Sequence, residues 1–339
     1  MVTAYSGKNF NTSFVSPSVD SQDKGVRLQQ VYETLPDLKQ CREGIVKESE
    51  KQKILNRVNF IRSLHELPLV RYQDNTSHYN AKAALIYAAN NSQNEKELPQ
   101  DRQKCWSEAG DKGLKNSMGY SVFSSRVDST SLWVESEHFV DALFQDSRRN
   151  GLRRRELLLN PFLNSISFGR ADGFPDYRDT KVLTYDEEEI ETQVNRTTSV
   201  ALEVIADREN SQTPKQNFIA YPYQDYPAEL FQKDEYIRGY PPMSFAAIAD
   251  PNNPQNNQNI DFSIAVIEIR DRQNDLLPVD SIKIEKSSIG LEQILSWKVD
   301  DLQYNQRYNV NINNVKVNNR PINYTYWFEI KSDRLFPQN

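Results

Sequence analysis

The chain has 339 residues, with 41 Lys and Arg against 47 Asp and Glu, which gives a net charge of −6. This acidic balance excludes a general nucleic-acid-binding protein, because neutralising phosphates requires a basic surface. The length allows two domains, and the 17 Tyr and 15 Phe supply large apolar side chains for their cores. No run of about eighteen apolar residues occurs, so we do not expect an integral membrane protein.

The first half of the chain is predicted to be mainly helical. Residues 1–44 show little apolar periodicity and are expected to form an N-terminal arm, tied down at Cys41. Apolar residues then recur at helical spacing, or alanines cluster, in several segments. The predicted helices cover residues 48–64, 79–91, 116–119 and 134–148.

Residues 151–173 are the most distinctive stretch of the sequence. Three arginines, 153–155, run into three leucines, 157–159, which we expect to be buried on all sides. Alternation of serine with large apolar residues at 165–168 predicts a strand with one buried face. The arginine cluster indicates either a solvated collar or the wall of a polar site.

Strands dominate the rest of the chain. The predicted strands are residues 181–184, 199–205, 262–269, 282–284, 308–312 and 324–330. Because the predicted helices come first and the predicted strands come mostly late in the chain, we expect an α+β protein with an antiparallel β-sandwich at the C-terminus. We therefore expect an arm over 1–44, one domain over 45–212 and a second over 213–339.

Signatures of catalysis or metal binding are absent from the sequence. It contains no glycine-rich phosphate loop, no His-Glu-x-x-His and no Gly-x-Ser-x-Gly. His65, His78 and His138 share no metal-ligand spacing, and His65 is expected to contact the dipole at the end of the first helix. We expect no catalytic residues, no metal and no cofactor.

The two cysteines do not by themselves decide in which cellular compartment the protein resides. Cys41 and Cys105 form no Cys-x-x-Cys pair, so they are either one disulfide in an oxidising compartment or two unrelated buried thiols. The opening Met-Val-Thr-Ala-Tyr-Ser lacks the features of a signal peptide. The chain is thus cytosolic, or a mature chain from which an export signal was removed.

Four segments between about residues 50 and 205 resemble, in their order and spacing, the bacterial branch of the CAP superfamily (cysteine-rich secretory protein, antigen 5 and pathogenesis-related 1). They are residues 55–69 with their Leu-Pro-Leu exit, the alanine-rich helix ending at 88–92, Cys105-Trp-Ser-Glu-Ala-Gly110 followed by Asn116-Ser-Met-Gly119, and residues 146–161 followed by Ile166-Ser-Phe-Gly169.

The resemblance implies an α-β-α sandwich whose central cleft, in typical members, holds a divalent metal with two histidines and two acidic residues. Glu97 stands near the first histidine position and Ser117 at the first acidic one. Asp146 matches the second acidic position, and Arg153 or Arg154 the second histidine. Arginine has no lone pair for a metal. The resemblance therefore implies a degenerate cleft in which these five residues bind a ligand, and Glu97 pairs with an arginine where a metal would bind.

The resemblance extends to the C-terminal half and to the compartment. In bacterial members, stretches like 218–222 and 239–242 often precede a small sandwich, which implies an Ig-like domain over 213–339. The family is typically exported, which favours a removed signal peptide and a Cys41–Cys105 disulfide.

The expected function is that of a non-enzymatic binding protein, extracellular or at the bacterial cell envelope, with an unknown lipid, glycan or protein ligand. One alternative is a hydrolase that uses Asp146, Ser117 and the arginines, although no histidine matches the cleft to activate the serine. The other is a purely structural surface protein.

Overall fold

The computed structural model describes ten stretches of the chain. They are residues 28–90, 103–124, 134–145, 152–173, 180–183, 189–192, 196–206, 212–233, 239–253 and 256–332. The structure is a mixed α+β fold with a helix-rich N-terminal part and a C-terminal region of mainly antiparallel sheets.

The described residues group into two compact units. The first draws on Met1–Asn56, Arg71–Val140 and Ser165–Val204, and the second on Arg57–Val70, Asp141–Asn164 and Ile205–Asn339. Each unit therefore combines segments that are distant in sequence. The domain boundaries predicted after residues 44 and 212 stay predictions.

Five α-helices have both of their ends in the described stretches, and residues 28–31 are helical as well. The five are α1 (Glu48–Leu64), α2 (Ser77–Asn90), α3 (Glu108–Asn116), α4 (Ser136–Gln145) and α5 (Arg153–Leu158). Helix α1 has the predicted bounds, with Ile54, Val58 and Ile61 at most 1% exposed on one face. Its acidic first turn and the Arg62 of its last turn suit the helix dipole.

The first unit is built on a mixed four-stranded sheet and two separate strand pairs. The strands of these three sheets are β1 (Tyr32–Thr34), β2 (Ile45–Val46), β3 (Arg71–Tyr72), β4 (Ser117–Ser124), β5 (Leu163–Gly173), β6 (Thr180–Leu183), β7 (Glu189–Thr192) and β8 (Arg196–Ala206). The main sheet has the order β3-β5-β8-β4, and β1-β2 and β6-β7 are separate pairs. Strand β3 is parallel to β5, and β4 is antiparallel to β8.

Helix α2 packs closely against this sheet because small residues line the contact. A side chain at Gly169 on β5 would meet the Asn80 carbonyl carbon at 2.1 Å. Ala83, Ala84 and Ala88 on α2 are fully buried in the same core as Ala171 on β5. The alanine-rich sequence thus serves close helix-to-sheet packing.

The short helix predicted at 116–119 is wrong. Helix α3 ends at Asn116, and Ser117 begins β4, whose Met118 is in register with Leu202 of β8. Gly119 faces Tyr87 so closely that a Cβ would lie 2.3 Å from its ring. Pairing with a distant strand and contact with α2 override the local preference.

Contrary to the prediction from the sequence, the three leucines at 157–159 are not all buried. The leucines close helix α5, but Leu157 is only half-buried, whereas Leu158 and Leu159 are buried. The predicted strand is confirmed as β5, eleven residues long. The prediction of a single buried face is wrong, because Ser165 and Ser167 are as buried as Ile166 and Phe168.

The second unit contains two sheets that pack face to face. Its strands are β9 (Phe218–Tyr221), β10 (Gln224–Pro227), β11 (Met243–Ala247), β12 (Ile260–Asp261), β13 (Val266–Arg270), β14 (Leu276–Leu277), β15 (Asp280–Lys286), β16 (Gln293–Lys298), β17 (Arg307–Val317) and β18 (Arg320–Lys331). One sheet has the order β15-β16-β11-β9 and the other β10-β18-β17-β13-β14, with β12 also on β17. Phe245 of β11 contacts Tyr324 of β18 at 5.0 Å between ring centroids, so aromatic side chains fill the interior.

Candidate functional site

The predicted disulfide between Cys41 and Cys105 is confirmed. The two Cα atoms are 5.0 Å apart, and the bond joins residues 64 positions apart in the sequence. Both cysteines have positive φ, 53° and 63°. Non-glycine residues seldom adopt this conformation, so the bond holds two strained turns beside each other.

The segment that carries Cys105 is fixed at both ends by side chains. Asn90 at the end of α2 donates from Nδ2 to the Lys104 carbonyl at 2.9 Å and accepts from the Lys104 N–H at 2.8 Å. Ser107 caps α3, since its Oγ accepts from the Gly110 N–H at 3.1 Å. The intervening Trp106 is therefore held in place by its backbone.

A surface pocket of about 490 Å³ opens beside the disulfide. It is lined by Cys41, Lys82, Leu85, Gln103, Cys105, Trp106 and Ser107. Helix α2 supplies Lys82 and, three residues on, Leu85, which is 1% exposed. The Trp106 side chain is 41% exposed at the rim. The apolar surface that the pocket offers is therefore mainly the indole ring and the disulfide, with Leu85 buried behind them.

The polar groups of the pocket are arranged around Lys82. Its Nζ lies 3.0 Å from the Glu43 carboxylate, which balances the positive charge. A ligand can therefore place an apolar ring or chain against Trp106 and its polar groups near Lys82 and Gln103. The sequence indicates Cys41, Cys105 and the segment that begins at Cys105, whereas Lys82, Leu85 and Gln103 join them only through tertiary packing.

Of the predicted cleft residues, Glu97 and Asp146 lie outside the described residues. Ser117 belongs to the first unit, and Arg153 and Arg154 belong to the second. The buried Ser117 Oγ donates to the Gly113 carbonyl at 2.7 Å and closes the C-terminus of α3. Its proton is thus directed at a peptide carbonyl, which is not a general base.

The three consecutive arginines have different environments. Arg153 is exposed, whereas Arg154 and Arg155 are 7% and 2% exposed. The Arg155 guanidinium lies 3.6 Å from the centre of the Tyr221 ring and donates to the Pro242 carbonyl at 2.8 Å. Arg155 is therefore neither part of a solvated surface cluster nor accessible to an anion. Its guanidinium is buried against an aromatic ring and has a structural role.

His65 lies in the same unit and is buried, contrary to the expected contact with the dipole of α1. Its Nδ1 is 2.8 Å from the Ala220 carbonyl and its Nε2 is 3.1 Å from the Tyr226 hydroxyl. Since a carbonyl only accepts, Nδ1 carries the proton and Nε2 accepts from Tyr226. Burial lowers the pKa of His65 from 6.5 to about 3, with Arg155 and Arg62 adding repulsion, although the bond to Ala220 acts the other way.

We expect the second unit to be sensitive to acid through His65. A depressed histidine pKa contributes stability above the unfolded value of 6.5, and this contribution is lost as the pH falls toward 3. The loss at pH 4.5 amounts to about 2–3 kcal/mol. Urea unfolding at pH 7 and pH 4.5 measures it. His65→Gln should be less stable at pH 7 but lose clearly less stability on acidification; equal losses for both proteins would contradict this origin.

Three carboxylates in the first unit also approach one another. Oxygens of Glu50, Glu135 and Glu137 lie within 4.8 Å of each other. The Lys53 ammonium is 3.2 Å from Glu50 and 3.7 Å from Glu135 and supplies the compensating charge. Burial opposes the charged form of Lys53, but these carboxylates raise its pKa overall. The cluster is therefore a lysine-centred ion-pair network.

No protein-family model, curated protein or solved structure matches the chain. None of the described helices has both the length and the apolar character needed to cross a bilayer.

Proposed function

We propose that the chain is an exported, non-enzymatic binding protein that acts outside the cell or at the bacterial cell envelope. Its ligand is a small amphipathic molecule bound in the pocket beside Cys41 and Cys105. The observation that carries this proposal is the pocket itself, about 490 Å³ in volume, with an exposed Trp106 fixed beside a disulfide.

The disulfide supports a location outside the cell or at the cell envelope. Disulfides form and persist in secreted and envelope proteins and are rare in the cytosol, where thiols are kept reduced. The Cys41–Cys105 bond joins the N-terminal arm to the segment that precedes α3. An arm fastened covalently in this way suits a protein that operates outside the cell.

The finer fold assignment is part of the same proposal. We infer a degenerate CAP-like α-β-α domain followed by an Ig-like sandwich. Helices α2 and α3 beside the sheet β3-β5-β8-β4 are compatible with the first, and the two packed sheets of the second unit with the second. Glu97, Ser117, Asp146, Arg153 and Arg154 remain the predicted residues of the degenerate cleft.

The lining of the pocket combines polar and apolar groups, which suits an amphipathic ligand such as a fatty acid. The disulfide and the Trp106 ring are apolar, and burying apolar ligand surface against them gives about 25 cal/mol per Å². Lys82 and Gln103 can orient a polar head group. A hydrolase is less well supported, because the Ser117 hydroxyl donates to a carbonyl.

Trp106→Ala is expected to weaken binding about tenfold, since it removes the exposed aromatic wall. Titration with a naturally fluorescent polyene fatty acid measures this directly, and a soluble glycan panel serves as the competing ligand class.

Trp327→Ala is the matched control, because Trp327 lies on β18 in the second unit with Arg307 3.7 Å from its ring centre. This variant should bind the fatty acid like the unmodified chain. Equal affinity of the Trp106 and control variants would exclude the pocket as the site. Binding of neither fatty acid nor glycan would favour a purely structural protein.

A further inference from the structure

Strand β15 is an exposed edge of the second unit. It is the outer strand of the sheet β15-β16-β11-β9 in the described part of the chain, and all seven of its residues are exposed. The large apolar side chains Ile282 and Ile284 are 55% and 44% exposed. An edge of this kind presents unpaired backbone groups to another strand.

The strand is regular over its second half. After a bulge near Ser281, whose φ is 52°, residues from Lys283 to Lys286 pair continuously with β16. Successive side chains alternate between the two faces. Ile282, Ile284 and Lys286 share one face, and Lys283 and Glu285 share the other.

A lysine on an edge strand usually discourages pairing, because its charge meets no opposite charge on the incoming strand. Here the sequence supplies that opposite charge when a second copy approaches antiparallel. With Ile284 opposite Ile284 at the two-fold axis, each Lys283 stands across from Glu285 of the second copy. Two cross-strand ion pairs then lie on one face of the joined sheet. The contact between the two Ile284 side chains lies on the other face, where each Ile282 is opposite the aliphatic stem of Lys286.

Further apolar surface lies close to this edge in the sequence. Leu276 of β14 is 59% exposed and precedes β15 by a short connection through Pro278 and Val279. Leu276 lies on the edge strand of the other sheet in the described part of the chain. Large exposed apolar side chains of this kind are typical of interaction surfaces.

We propose that two copies of this chain associate through β15, antiparallel and centred on Ile284, so that their four-stranded sheets become one continuous sheet. The charge pattern fixes the register. A seven-residue strand buries less than a standard interface, so the dimer is weak, with a dissociation constant of roughly micromolar or above. This association is independent of ligand binding in the pocket.

A charge-swap series tests the proposal by sedimentation velocity over the micromolar concentration range. Lys283→Glu places glutamates opposite each other, and Glu285→Lys places lysines opposite each other. Each single substitution should weaken association at least about tenfold. The double variant Lys283→Glu/Glu285→Lys restores opposite charges and should dimerise like the unmodified chain.

Arg320→Glu on β18 is the control for a charge reversal at another exposed position and should leave association unchanged. All three substituted positions lie on the surface, so thermal unfolding of the four variants should show intact folding. A monomeric unmodified chain, single variants that still dimerise, or a double variant that stays monomeric would each overturn the proposal.

Discussion

Replacing Asp172 by Asn is expected to lower the free energy of unfolding of the first unit by about 3–5 kcal/mol, because it leaves a buried arginine without its counter-charge. Arg170 and Asp172 are neighbours on one face of β5, and their side chains are 0% and 2% exposed. The Asp172 carboxylate accepts from Arg170 Nε at 2.7 Å and Nη2 at 3.2 Å. An asparagine at this position would turn an amide N–H group toward the guanidinium or toward the hydroxyl donors.

The same carboxylate holds three parts of the unit together. It accepts from the Tyr32 hydroxyl on β1 at 2.7 Å and from the Thr198 hydroxyl on β8. Arg170 donates to Ser136 Oγ at the start of α4 at 2.9 Å. Burial opposes ionisation of Asp172, but Arg170 and these hydroxyl donors lower its pKa overall. Its stabilising contribution is therefore present above the unfolded pKa of 3.8 and is lost as the pH falls below it.

Chemical denaturation at pH 7 measures the effect, with Asp74→Asn in the same unit as the control. Asp74 lies 2.5 Å from the Lys51 ammonium and its side chain is 61% exposed, so its loss should cost less than about 1 kcal/mol. Thr198→Val removes a single bond to Asp172 and should cost about 1–2 kcal/mol, which keeps the test informative if the asparagine variant does not fold. Similar small losses for Asp172→Asn and the control would refute the proposed importance of the pair.

The sequence identifies elements whose pattern is local. The period of Ile54, Val58 and Ile61 suffices to bound α1, because one face of a helix must be apolar. The error at residues 116–119 has a tertiary cause. The close approach of Gly119 to Tyr87 and the pairing of β4 with β8 depend on segments that the local pattern does not contain.

The candidate site also combines features that the sequence indicates with features that only the fold creates. A family resemblance implies the pairing of Cys41 with Cys105, whereas Lys82, Leu85 and Trp106 line one pocket only because α2 and the segment before α3 come together. The three adjacent arginines likewise have identical side chains but differ in burial, because burial depends on which face of α5 packs against its surroundings. Spacing alone could not predict that Arg155 stacks on Tyr221.

Removing the disulfide is the second change with a large expected effect. Replacing both cysteines by serine should cost the first unit about 4 kcal/mol in the chain-entropy description, since the bond closes a loop of 64 residues. The loss has a local consequence as well. Cys41 and Cys105 hold positive-φ turns next to Trp106, so the pocket should lose its shape and its fatty-acid binding before the unit unfolds.

Guanidinium unfolding with and without a thiol reductant separates the disulfide from other effects. The unmodified chain should shift to lower denaturant on reduction, to the midpoint of the Cys41→Ser/Cys105→Ser variant, and that variant should not respond to reductant. Both cysteines lie in the first unit, so a transition monitored by Trp297 of β16 in the second unit should stay in place. Free energies of unfolding that agree within about 1 kcal/mol for the oxidised chain and the serine variant would show that the arm is held by its packing instead. In that case contacts such as the buried Leu38 and the Tyr32–Asp172 hydrogen bond fasten it.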